Sequence, residues 1–444
     1  MESEARKQLP RDLGDGLTLR WAREEDGERL AAHNRLVFAE PNGEPDDQAA
    51  LQTRELFSAD HPTASPGDHV LVEESSTGKI VSSICLIPQT WSYAGIPFGV
   101  SRPELVATES AYRERGLVRA QMDVLHALSA ERGDLMQAIT GIPYFYRQFG
   151  YEPALITTKS CYGAPLARAV PDDPPYLLRP ASETDIPTIV TCYGIATKHM
   201  LMAAVREEAV WKWELAGRLH GSDYVQTFWI IAKPDGASAG FVAHQEGFDT
   251  YRSILWATAA ELLDGESWPS AAPIVTEHLR SFAAEEAAKT GNNPANIGFD
   301  WGYDRPFVQL QPQVFQSTVR AFSWLIRIPN LAAFLRHIKP ALTERLRQSP
   351  FQSYSGELVL TFYRSGLKLT IVNGEVAEIQ DFKPESFREA SAGFPDKTFY
   401  YLLLGSRTFE ELEYAFPDCF VRKPSDRALL ATLFPKQPSA IWPV

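Results

Sequence analysis

The chain is short of the residues that would staple it or hold a metal. Its 444 residues contain four cysteines, Cys85, Cys161, Cys192 and Cys419, with no C-x-x-C pair and no histidines at ligand spacing. Disulfide frameworks and zinc sites show themselves by such spacing, so neither is expected and the thiols should be free and buried. Positive charge is scarce too: 43 Lys and Arg against 56 Asp and Glu leave a formal net charge of −13. That argues against nucleic acid, whose phosphates need a basic surface, and is compatible with drawing in cationic small molecules. No apolar run reaches the length of a membrane span, about 18 residues, and the opening MESEARKQLPRDLGDG is charged where a secretory signal would be apolar. A cytoplasmic protein without a membrane partner is expected. No Gly-x-Ser-x-Gly elbow or Ser-His-Asp signature occurs, which leaves hydrolase chemistry unsupported.

What is present is a series of patterned segments, long enough in total for two or three domains. Between 17 and 162, LTLRWA reads as a short strand and AREEDGERLAAHNRLVFAE as an amphipathic helix. DHVLVEE and KIVSSICLIPQTWSY read as alternating strands joined by a turn at Ser75 to Gly78, and a strand over 96–108 follows. Next come Arg113, Glu114, Arg115 and Gly116, a basic turn with one glycine, then an amphipathic helix from Leu117 to about Ala130, the strand LMQAIT and an aromatic turn at Tyr146. A helix start offers free backbone N–H groups, and a basic turn adds charge, so a pyrophosphate would sit there. An Arg-x-x-Gly turn alone is a weak signal; the elements flanking it give it weight.

The stretch from Glu104 to Tyr151 resembles motifs A and B of the GNAT superfamily of acetyl-CoA-dependent N-acetyltransferases. The signature there is Gln/Arg-x-x-Gly-x-Gly/Ala; this chain has Arg113 and Gly116, with Val118 in place of the small residue. The Eis-type branch, multi-acetylating aminoglycoside acetyltransferases, shares that departure, and FYRQFGY at 145–151 is similar to its IYGRFGY. The resemblance implies an α/β (α+β) protein with acetyl-CoA as co-substrate and no metal. In the first unit, 1–162, Val106, Ala107 and Thr108 would offer a strand edge to pantetheine. Glu114, Arg115, Gly116, Leu117, Val118 and Arg119 would hold the pyrophosphate, Gly141 and Ile142 would approach from the other side, and Tyr146 would be the general acid. In that branch the general base is the terminal carboxylate, which here belongs to Val444. Trp91, Phe38 and His33 are candidates for lining an amine pocket.

Residues 163–175, GAPLARAVPDDPP, read as a proline-rich linker. After them YLLRPASETDIPTIVTCYG repeats the theme of LTLRWAREEDGERLAAHN, strand, Arg-x-Ala, acidic turn and helix, so a second, degenerate copy of the fold is expected over 176–315. Between its strand YRSILWATAA and its helix APIVTEHLRSFAAEEAAKT no Arg/Gln-x-x-Gly turn occurs, and one cofactor site per chain follows. In the last unit, 318–444, IPNLAAFLRHIKPALTERLR reads as a helix and GELVLTFY, LKLTIV and VAEIQDF as strands, the last two joined at Asn373-Gly374. FYYLLL reads as a buried strand, and Thr408 with Glu411 as a capping box. This unit resembles the sterol-carrier-protein-like domain that closes Eis-type chains. The expected function is acetyl transfer to an amine of a small, polycationic molecule, aminoglycoside-like or a polyamine, by a homo-oligomer that the resemblance makes hexameric. The alternatives are a protein lysine or N-terminal acetyltransferase, and a non-catalytic lipid-binding or scaffold protein with relic acetyltransferase units.

Overall fold

The computed structural model describes residues 4–39, 41–164, 172–249, 253–291, 296–302, 304–382 and 385–441. Within it the internal repeat is built on one lock, used twice. Arg20, on the strand Leu17–Trp21, donates both arms of its guanidinium to Asp26 (2.6 and 3.0 Å), which also accepts from the Arg23 N–H (2.8 Å) and so closes the turn before the helix Gly27–Val37. Arg179, on Leu177–Pro180, grips Asp185 the same way (2.8 and 2.6 Å), and Asp185 accepts from the Ser182 N–H (2.9 Å) before the helix Ile186–Thr197. A bidentate Arg–carboxylate pair fixes direction as well as distance. Each lock therefore sets the angle at which a helix leaves its strand.

From each lock grows a mixed sheet. The first has nine strands among the described residues, running in space from Arg11–Gly14 through Leu17–Trp21, His69–Glu74, Ile80–Tyr93, Ile96–Thr108, Met136–Ile139 and Ser323–Arg327 to Glu152–Ile156, with Met202–Val205 paired to the far end of Ile80–Tyr93. The second has seven: Leu177–Pro180, Gln226–Ala232, Ser238–Gln245, Ile254–Leu262, Asn296–Phe299, Cys161–Gly163 and Ser317–Thr318. The seven strands of the second match in order the seven of the first from Leu17–Trp21 to Glu152–Ile156, including one parallel step in each, Val100 beside Met136 and Ile254 beside Asn296. The sheets also trade a strand. Ser323–Arg327, which follows the second unit, lies antiparallel between two strands of the first, while Cys161–Gly163, which follows the first, fills the same slot in the second.

The C-terminal α/β unit has a five-stranded sheet among the described residues. Asn373 and Gly374 make its hairpin at φ 50° and 75°, and Thr408 and Glu411 form the expected capping box. Two readings change. FYYLLL is a helix, Phe399–Leu403, all five residues of which are buried; a run apolar on every side carries no period to separate helix from strand. IPNLAAFLRHIKPALTERLR is two helices, Leu331–His337 and Lys339–Arg347, broken where Pro340 enters the first turn of the second and can donate no N–H to the turn before it. The helix Asp47–Phe57, which Asp46 caps by accepting from the Ala49 N–H, had no sequence expectation. The last unit is docked on the first through a shared apolar core containing Trp91, Trp324 and Phe334. Polar contacts join them as well: the Tyr93 hydroxyl donates to the Leu403 carbonyl (3.0 Å) and Ser406 to that of Ala154 (2.8 Å). All four cysteines are free and buried. Among the described residues no helix is long and apolar enough to cross a membrane.

Candidate active site

The site begins where two strands part. Ile96–Thr108 pairs with Met136–Ile139 at Val100 and Ser101, and beyond them that edge of the longer strand has no strand partner among the described residues. On the opposite edge the register slips between Ser83 and Cys85, and there Leu105 takes φ 50° while only 6% exposed. A buried, non-glycine residue in left-handed backbone marks a bulge, which bends a strand and re-aims its N–H groups. Val106, Ala107 and Thr108 follow it; Ala107 is fully buried, and the Thr108 hydroxyl is held against Ser82 (2.7 Å).

The strand runs through a short 3-10 turn at Ser110–Tyr112 into Arg113–Gly116 and then the helix Leu117–Glu131. Gly116 precedes that helix at φ 75°, a conformation glycine adopts without penalty. Among the described residues no heavy atom beyond its chain neighbours lies within 4 Å of where its Cβ would be, so the space over the helix start is open. Buried Leu117 pins the helix to the core, while Glu114, Arg115 and Arg119 are exposed and Val118 is half-buried. Arg115 lies over the Tyr112 ring (5.0 Å), and Arg119 lies over Phe149 (4.9 Å) and donates to Gln148 (2.8 Å). Among the described residues no side chain caps the helix, so its first N–H groups face an open, basic rim able to receive phosphate oxygens.

Across the parting strands Gly141 has φ 115°, and a Cβ there would come within 3.1 Å of the Tyr146 ring. Ile142 is exposed, and Pro143 opens the helix Pro143–Arg147, in which Tyr146 is the buried residue. Phe145 packs on it edge to face (5.2 Å). Burial raises the Tyr146 phenol above its ordinary value, and the Glu104 carboxylate adds to the effect; the hydroxyl therefore stays a proton donor through neutral and alkaline pH. Tyr151, by contrast, is fully buried and bonded to His126 (3.1 Å).

A cavity of about 1440 Å³ opens beside this arrangement, between the two sheets and the last unit. Gly141 and Pro143 line it from the first unit, Trp324 from the exchanged strand, Asp223, Glu246, Asp249 and Asp300 from the second unit, and Ile441 from the end of the chain. Ala440, bridged to Ala203, lines that space beside Ile441. Val444, with Trp442 and Pro443, lies outside the described residues.

The structure thus brings the strand edge, the basic turn, Gly141, Ile142 and Tyr146 to one side of the first unit. Two pocket candidates belong elsewhere. Trp91 is fully buried in the core against Trp324 (5.5 Å), and His33 is buried 4.0 Å from Glu109 with its pKa pushed down to about 4 by desolvation. Phe38 is part-exposed just past its helix. Sequence reasoning missed Glu104, bonded to Arg102 (3.0 Å), whose guanidinium lies over Trp324 (4.5 Å). The available signal was a charged Arg-Pro-Glu inside an otherwise apolar strand.

Comparisons with known proteins cover the same region of the chain. Residues 18–154 match the family described as acetyltransferase (GNAT) domain. A search of curated proteins finds no match. Among solved structures, a probable N-acyltransferase of unknown function from Enterococcus faecalis is 15% identical over 95% of this chain and 97% of its own, with a TM-score of 0.65. A GCN5-related N-acetyltransferase from Anabaena variabilis is 13% identical over 96% and 99% (TM-score 0.63), and Eis1 from Mycobacterium abscessus 14% identical over 95% and 98% (TM-score 0.57). At such identities the solved structures establish a shared fold along nearly the whole chain. The domain match supports an N-acetyltransferase, with acetyl-CoA as the donor and an amine as the acceptor that such a domain implies.

Proposed function

We propose that the chain moves the acetyl group of acetyl-CoA to an amine of a small, polycationic molecule, aminoglycoside-like or a polyamine, by direct attack. The observation that carries this is the uncapped, basic helix start after Gly116 facing across the strand split to Gly141 and Tyr146. The first N–H groups of that helix and the guanidinium groups of Arg115 and Arg119 hold the pyrophosphate; Val106, Ala107 and Thr108 present backbone to pantetheine. The coenzyme supplies a thioester, whose carbonyl carbon the amine attacks. As the carbon–nitrogen bond forms and the carbon–sulfur bond breaks, Tyr146 donates its proton toward the departing sulfur. An ordinary phenol, pKa ~10, is a weaker acid than a thiol, pKa ~8.5, so Tyr146 acts chiefly as a strong hydrogen-bond donor while charge builds on sulfur.

The terminal carboxylate of Val444 takes the proton that the ammonium must lose. A carboxylate with an unperturbed pKa of ~3.5 is ionised at neutral pH and accepts through water. Support for this comes from the direction of the chain, since Ile441 already lines the cavity that holds Gly141 and Pro143. The acidic lining from the second unit and the net charge of −13 favour a cationic acceptor. We read the second unit as a degenerate copy that binds no cofactor and the last as a sterol-carrier-protein-like domain with a structural role, in a homo-oligomer. The test is a thiol-release screen with acetyl-CoA against polyamines, aminoglycosides and lysine or N-terminal peptides. Polyamines or aminoglycosides should react fastest; preference for peptides would overturn the acceptor class.

A further inference from the structure

Glu104 has no part in the scheme above, yet it is placed as few carboxylates are. It stands one residue before the bulge at Leu105, on the strand that parts from its neighbour. Its Oε2 accepts from Arg102 Nη2 (3.0 Å), and Arg102, 3% exposed, is itself fixed over the Trp324 ring. Its Oε1 has no hydrogen-bond partner among the described residues. The same holds for two hydroxyls within reach of its charge, those of Tyr146 and Tyr224.

Tyr224 comes from the second unit, and its position is set by a buried ion network across the interface. Arg218 lies over the Tyr224 ring (5.4 Å) and is bonded to Glu55 of the first unit (3.0 Å) and Glu214 of the second (2.9 Å), all three side chains being nearly inaccessible. Removing Arg218 would deprive two carboxylates in the interior of the counter-charge they share, so the contact holds the loop bearing Tyr224 against the first unit. An immobilised carboxylate with one oxygen unbonded, and a phenol from each unit within range of its charge, is an environment an ammonium group satisfies and an apolar group does not.

We propose that Glu104 is the anchor for the acceptor's ammonium group, holding it beside the Tyr146 hydroxyl with Tyr224 closing the far side. This rests on the acetyl-transfer reading and adds to it the residue that selects a cationic acceptor. Glu104 binds the charged amine; the proton then leaves to the base, and the neutral amine faces the thioester.

The test separates binding from chemistry. Spermidine titrated calorimetrically into the protein saturated with coenzyme A reads the anchor without turnover. Glu104→Gln should weaken that binding about 10- to 100-fold, the loss of one charge-assisted bond, and raise the KM for spermidine in step. The kcat and the affinity for acetyl-CoA should stay within about twofold. Because a neutral amide at this position also removes the carboxylate to which Arg102 donates, Glu104→Asp is the companion variant. It keeps the charge and should recover most of the affinity. Unchanged spermidine binding in Glu104→Gln overturns the anchor, as does a fall in kcat at constant KM with loss of the acid limb of the pH profile, which would make Glu104 the base. No binding of spermidine to the parent protein also overturns it. No thiol release with any amine, alongside intact spermidine binding, would instead remove the acetyl-transfer reading and leave the anchor standing.

Discussion

The two sheet units share a strand order and an Arg–Asp lock, and they part company at one turn. In the first, strand and helix are joined through Arg113–Gly116, whose glycine is left-handed and whose rim is basic. In the second, the join is Leu263 to Ser267, LDGES, in which Glu266 pairs with Lys233 (2.6 Å) and accepts from the Tyr176 hydroxyl (3.0 Å). Carboxylates at a helix start repel a pyrophosphate. The space beyond differs as well. Two residues past the strand the first unit has Gly141; the second has Trp301, buried, stacked on Tyr193 (5.7 Å, 14°) and covered by Arg305 (4.9 Å), which pairs with Glu261 (3.2 Å). In the short helix that follows each, the fourth residue is Tyr146 in one and Gln309 in the other. A scaffold can therefore be kept whole while its cleft is filled, because the lock and the sheet order do not depend on what lies between the parted strands.

Making the first unit's turn resemble the second's should have the largest effect. Gly116→Glu puts a side chain on left-handed backbone and a carboxylate against the pyrophosphate; calorimetry should fall from one acetyl-CoA per chain to none. Two sites in the parent would erase the contrast between the units. Next is Tyr146→Phe, which should lower kcat about 10²- to 10³-fold, in the range for a lost general acid, with acetyl-CoA affinity nearly unchanged. Since burial and Glu104 raise the Tyr146 pKa, the parent's kcat should show no alkaline decline below about pH 10, the ordinary tyrosine value. A C-terminal tag or deletion of the last few residues should cost kcat about 10²-fold at constant acetyl-CoA affinity, while Val444→Leu stays near parent; full activity of a tagged protein removes the terminal carboxylate from the mechanism.

The smallest effect on turnover should come from the filled cleft. Arg305→Met strands the buried Glu261 and should destabilise the fold by about 3 kcal/mol with kcat unaltered, as read by denaturant unfolding. Burial already raises the Glu261 pKa, and losing Arg305 raises it further. The folded state then holds a proton that the unfolded chain releases, so stability falls as pH rises; the deficit should be greater at pH 8 than at pH 5.

The first unit was legible because its strands alternate, its helix has a 3.6-residue period and its turn combines glycine with arginine. The repeat was legible because Arg20 and Arg179 each precede their Asp partner by six residues, a spacing set by the turn itself. Cys161–Gly163 and Ser323–Arg327 were not, since a three- or five-residue strand carries too little pattern to say which sheet it joins. Glu104 and Tyr224 stayed hidden for a different reason. What places them together is the interface between units, held by Glu55, Arg218 and Glu214, and no local spacing records that.

The exchanged strands have a consequence for the order in which this protein takes shape on the ribosome. A sheet whose inner slot is filled by residues 323–327 cannot be closed when its own last strand, ending at Ile156, leaves the exit tunnel. The nascent first unit must wait, with Met136–Ile139 and Glu152–Ile156 lacking the strand that belongs between them, until the whole second unit has been synthesised. At ordinary elongation rates of ~5–20 residues per second, that is a delay on the order of ten seconds or more. During it an unpaired inner edge is available to chaperones, or to the same edge of another nascent chain.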